Sequence, residues 1–65
     1  MSVAKVIEIL AEGKTLESAV EAAVNEASKS VRNVKNVYVE GFQAIVEDSE
    51  VVKYRVNAKV TFVVE

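Results

Sequence analysis

Lys53-Tyr-Arg-Val-Asn-Ala-Lys-Val-Thr-Phe-Val-Val64 alternates apolar and polar side chains along its length. Tyr54, Val56, Ala58, Val60, Phe62 and Val64 make one row, and Lys53, Arg55, Asn57, Lys59, Thr61 and Val63 the other. A period of two sends successive side chains to opposite faces, so the segment reads as a long strand with one apolar and one mostly polar face. Upstream, Val34 to Val46 reads as a second such strand, with Gly41 in its middle marking a bulge or bend. Glu47-Asp48-Ser49-Glu50 joins them, a polar turn without the Asn-Gly pair of the tightest hairpins.

Before this hairpin the period changes. Leu16, Ala19, Val20, Ala23, Val24, Ala27 and Val31 recur at the three- and four-residue spacing of a one-sided helix, with Glu17, Glu21, Asn25 and Lys29 opposite. Thr15 stands where an N-cap belongs and Glu17 suits the first turn, while Lys29 and Arg32 suit the negative end of the helix dipole. Val3 to Leu10 is short and rich in β-branched residues, a strand, and Ala11-Glu12-Gly13-Lys14 breaks its pattern. The expected fold is therefore α+β: a single domain over residues 1–65 in the order β-α-β-β, its helix lying across an antiparallel sheet.

The lengths do not match. A helix of roughly 17 residues reaches about 25 Å, whereas each long strand of roughly 13 residues reaches about 43 Å. One helix cannot roof such a hairpin, and apolar sheet surface left over in quantity marks an interface. Size sharpens the point. A chain of 65 residues has a core that is marginal alone, and there is no cysteine for a disulfide and no histidine for a transition metal. At 51% hydrophobic the chain is not disordered, so the remaining staple is self-association.

The same composition excludes several functions. Eight basic against ten acidic residues is the wrong sign for a nucleic-acid footprint. No apolar run approaches the ~18 residues that would span a bilayer, and the opening residues meet Glu8 without the apolar stretch of a signal peptide, so a cytoplasmic protein is expected. Nucleophilic triads lack their usual base, and Lys14 and Lys29 read as solvated lysines. Gly13 and Gly41 are the only glycines and form no phosphate-cradling loop. No enzyme is expected. Tyr54 and Phe62 belong to the apolar row and the core. Tyr38 and Phe42 share parity with Asn36 and are expected to line an interface pocket. Arg55, among Lys53, Asn57 and Lys59, offers an anion or small-ligand surface, or else a solvent-facing row of inter-subunit ion pairs. Glu47, Asp48 and Glu50 read first as a solvated hairpin tip within one chain; they also carry hard oxygen ligands suited to calcium, without the spacing of an EF-hand.

Val3-Ala-Lys-Val-Ile-Glu-Ile9, Leu16-Glu-Ser-Ala-Val-Glu-Ala-Ala-Val24, Ala27-Ser-Lys-Ser-Val-Arg-Asn-Val34 and Tyr54-Arg-Val-Asn-Ala-Lys-Val-Thr-Phe62 together resemble the dodecin family over essentially the whole chain. The resemblance implies a three-stranded antiparallel sheet wrapped around one helix, assembled as a hollow homododecamer that stores flavin (FMN or riboflavin) at subunit interfaces without catalysis. It also implies a ligand site at Asn36, Gln43 and Arg55. There the family's flavin binders carry a tryptophan for stacking where Asn36 stands and a glutamine for hydrogen bonding where Arg55 stands. Many bacterial members place an arginine where Gln43 falls. A lost aromatic platform forfeits roughly 0.5–1.5 kcal/mol of stacking, so tight flavin binding is not expected. The missing tryptophan and the Tyr54-Arg55 pair are similar to the calcium dodecins, which makes calcium a second expectation. The resemblance assigns it no ligands, and Glu47, Asp48 and Glu50 are the candidates from the residues alone.

The function expected is thus a non-catalytic oligomeric small-ligand binding or storage protein. The alternatives are a flavin-sequestering dodecin with a modified pocket and a calcium-binding structural cage.

Overall fold

A computed structural model describes residues 3–64. The elements are β1 (Val3–Gly13), α1 (Leu16–Ser30), β2 (Val34–Glu47) and β3 (Glu50–Val64). All three strands form one antiparallel sheet in the order β1-β3-β2, so the alternating segment read first is the central strand. The expected β-α-β-β order and three-stranded sheet hold.

β1 runs three residues further than its sequence pattern indicated. Ala11, Glu12 and Gly13 pair with Val56, Arg55 and Tyr54 and keep the strand's alternation. Small and charged residues weakened the apolar signal there without ending the strand. Gly13 is then required where the chain turns into the helix: a Cβ at this position would fall on Ser18 Oγ and lie 2.6 Å from the Ala19 backbone nitrogen. Thr15 is the N-cap, as expected. Its Oγ1 accepts from the Ser18 backbone N–H and the Ser18 Oγ accepts from the Thr15 N–H, both at 3.0 Å. This reciprocal cap satisfies two donors that the first turn would otherwise leave unpaired.

The helix presents Ala19, Ala23 and Ala27, all buried, to the apolar row Val56, Ala58, Val60 and Phe62 of β3. Alanine at each contact lets the helix lie close on the sheet, and Leu16, Val20 and Ile9 fill the flanks of the core. Two bulges shape β2. Between Val39 and Gly41, and again between Val34 and Asn36, one residue of β2 has no partner on β3. Gly41 thus sits at a bulge, as its position suggested. The bulge also corrects one expectation. Phe42 pairs with Val56 on the helix-facing side, while Tyr38 pairs with Lys59 on the other, so the two do not share a face. The extra residue reverses the parity between them.

The β2–β3 turn is tighter than its sequence suggested. Asp48 and Ser49 alone make it, with φ of 53° and 65°. Paired left-handed residues match the twist of a two-residue hairpin, here without the glycine that ordinarily relieves their strain.

The length mismatch persists in three dimensions. Fifteen helical residues reach about 22 Å, and the molecule is 52 Å long. The helix starts opposite Tyr54 and ends near Asn33, whose carbonyl accepts from the Val63 N–H at 3.1 Å. Beyond Tyr54 the hairpin projects uncovered, with Val46 and Val51 57% and 53% exposed. Phe42, on the helix-facing side of β2, is also exposed because the helix is seated toward β1 and β3.

Gly13→Ala should destabilise the protein by roughly 1–3 kcal/mol, the cost of forcing an atom into a packed contact. A lowered thermal unfolding midpoint at fixed protein concentration checks this. An unchanged midpoint would show that the strand-to-helix corner has room to relax.

Candidate functional site

Cross-strand partners in an antiparallel sheet share a face. The register therefore assigns the side of the sheet opposite the helix. Glu12, Arg55 and Gln43 form one row across it, and Leu10, Asn57 and Gly41 form the next. These rows border an open hollow of about 330 Å³. Glu40, the unpaired residue of the bulge, contributes to its wall, and Phe42 reaches its edge.

Glu12 is the hub of the charges here. Its Oε2 accepts from Arg55 Nε at 2.8 Å and lies 2.7 Å from Arg55 Nη2, while its Oε1 lies 2.9 Å from Lys53 Nζ. One carboxylate on the outer strand thus joins two cations two residues apart on the central strand. A second pair, Lys59 Nζ with Glu40 Oε1 at 3.4 Å, stands on the far side of Asn57. Hydrogen bonds from Lys53 and then Arg55 hold the Glu12 carboxyl below its ordinary value of 4.5. Gln43 and Asn57 carry amides that both donate and accept. Leu10, 70% exposed, gives the hollow an apolar side.

The residues expected to bind ligand divide into two places. Gln43 and Arg55 are direct cross-strand partners and both line the hollow. Asn36 pairs with Thr61, on the same face but six residues along β3 from Arg55, or about 20 Å away. Within one chain, these three positions do not form one pocket. Arg55 is engaged by Glu12, a partner that the sequence reading had assigned to a break. The signal was present: Glu8 and Glu12 face Lys59 and Arg55 once β1 and β3 are aligned antiparallel. Among the described residues of one chain, no three acidic side chains converge as a metal cluster requires. Glu47 and Glu50 pair across the exposed hairpin end, flanking Asp48 in the turn. This donor set does not fit calcium within a single subunit.

No described helix is long and apolar enough to cross a membrane. Compared with known proteins, residues 3–65 match the Dodecin family model. Among solved structures, the chain is similar to a Thermus thermophilus protein at 27% identity, with a TM-score of 0.92, covering 100% of this chain and 97% of that one. It is similar also to an arginine-to-alanine variant of the T. thermophilus dodecin, at 27% identity and TM-score 0.91, covering 100% and 98%. The Streptomyces coelicolor dodecin gives 26% identity and TM-score 0.90 over 98% and 93%. No curated protein matches the chain. A single helix on a long three-stranded antiparallel sheet is the fold that these structures share with the chain. The chain belongs to the dodecin family.

The depressed Glu12 carboxyl fixes the sign of an acid effect. Because its pKa is lowered in the folded state, its ion pairs stabilise that state above pH ~4.5 and lose their contribution as pH falls through the folded value. Glu12→Gln should be less stable than the natural protein at neutral pH, and the gap should close as acid protonates the folded Glu12 carboxyl, at a pH below its ordinary value. Denaturation midpoints across this range give the comparison. A gap independent of pH would show that the carboxylate charge is not what the pairs contribute.

Proposed function

We propose that this protein is a non-catalytic homododecameric shell that binds and stores a small planar ligand on the outer sheet face. The hollow bounded by Gln43, Arg55 and Asn57 is the observation that carries this reading. It gathers hydrogen-bonding side chains beside an exposed leucine, the mixture that orients a ligand with both polar edges and an apolar face. No nucleophile–base pair accompanies them, which favours retention over turnover. The exposed Val46, Val51 and Phe42 support assembly, because such residues call for a neighbouring surface. Asn36, too far along the sheet to reach the hollow within its own chain, could meet it only from a neighbouring copy in that assembly.

Flavin is the ligand class that family membership implies, and Gln43, Arg55 and Asn57 can supply hydrogen bonds to the ring's polar edge. Asn36 offers no aromatic face, so retention of flavin is weak. A cytoplasmic location belongs to the same reading.

Titration of riboflavin, followed by quenching of its fluorescence, tests this reading. The natural protein should bind detectably but weakly, and Asn36→Trp should tighten binding by about two- to tenfold, the equivalent of one recovered stacking contact. Gln43→Ala should weaken it. No binding by either the natural protein or Asn36→Trp would overturn the assignment of the ligand class.

A further inference from the structure

Around the hollow, every cation of the central strand meets a carboxylate. Lys53 and Arg55 share Glu12, at 2.9 Å and 2.7 Å. Lys59 has Glu40 at 3.4 Å and Glu8 as its cross-strand neighbour. Lys53, Arg55 and Lys59 are thus set against Glu8, Glu12 and Glu40, and the rows sum to no net charge. An arginine in a ligand hollow would ordinarily recruit carboxylate or phosphate through its paired N–H groups. Here the fork is used: Nε and Nη2 both point at one oxygen of Glu12. The donors left over can serve a carbonyl or ring nitrogen, while Glu8, Glu12 and Glu40 together offset the positive charge that would attract an anion.

We infer that Glu12 is a positioning and specificity residue of this site, fixing the Arg55 guanidinium and cancelling its charge so that the hollow takes an uncharged planar ligand in preference to a phosphorylated one. Glu12 acts through Arg55 and does not itself contact the ligand. This inference rests on the reading of the hollow as the ligand site.

Riboflavin and FMN differ by one phosphate and are the probes. The natural protein should bind riboflavin at least as tightly as FMN. Glu12→Gln releases Arg55 and Lys53, and the ratio of FMN to riboflavin affinity should rise about fivefold or more at low salt, the gain falling away in high salt. Adding Arg55→Ala to Glu12→Gln should remove most of the gain, which a purely structural role for Glu12 would not do. Lys53→Ala should move the ratio the other way, and it keeps the test decisive should Glu12→Gln fail to assemble. An unchanged ratio in both single variants, with both flavins still bound, would overturn the inference and leave the ligand site standing. Failure of either flavin to bind the natural protein or Asn36→Trp would remove the ligand-site reading, and the inference with it.

Discussion

One short helix against a long sheet is the constraint on which the other features depend. The helix can lie close to β3 because Ala19, Ala23 and Ala27 occupy its contact stripe. The same small side chains bury little area, so the core is thin as well as short. Among the described residues, Val56 and Val60 are the only fully buried ones of any size. A chain of 65 residues with such a core stands at the margin of independent stability. Its hairpin and the outer edge of β2 meanwhile remain uncovered. The proposed assembly would answer both deficits at once, since neighbours would add core and cover valines.

The sheet's far face follows from the same geometry. With its single helix on one side, the sheet turns a polar, charged surface outward, and β3 as central strand sets the cations between carboxylates from both neighbours. Exposed ion pairs of this kind contribute little to stability in isolation. Their effect is on electrostatics and orientation. Glu12 ties Arg55 down beside Gln43, and the bulge at Glu40 brings a carboxylate to Lys59. A surface that looks basic along β3 alone becomes neutral when read across the sheet.

Much of the fold was legible from period alone. The alternation of Tyr54 to Val64 and the stripe from Leu16 to Ala27 each report one buried face, and Thr15 marked the helix start. What escaped were features of pairing between segments. The extension of β1 through Gly13 depends on β3 as a template, and the inversion of Phe42 relative to Tyr38 depends on one unpaired residue. Both are properties of register, which no single segment encodes. The site was legible in part. Gln43 and Arg55 fell together, but Glu12 was hidden because its role exists only across 43 residues of sequence. The separation of Asn36 from Arg55 likewise needed the strands aligned.

Sedimentation equilibrium across serial dilution tests the helix–sheet mismatch most directly, with circular dichroism at each concentration to confirm folding. Twelve copies of a 7.1 kDa chain should sediment together at about 85 kDa, and loss of that assembly should coincide with loss of secondary structure. A folded species of 7.1 kDa, retaining its helix and strands in dilute solution, would contradict the claim that the sheet depends on neighbours for its cover.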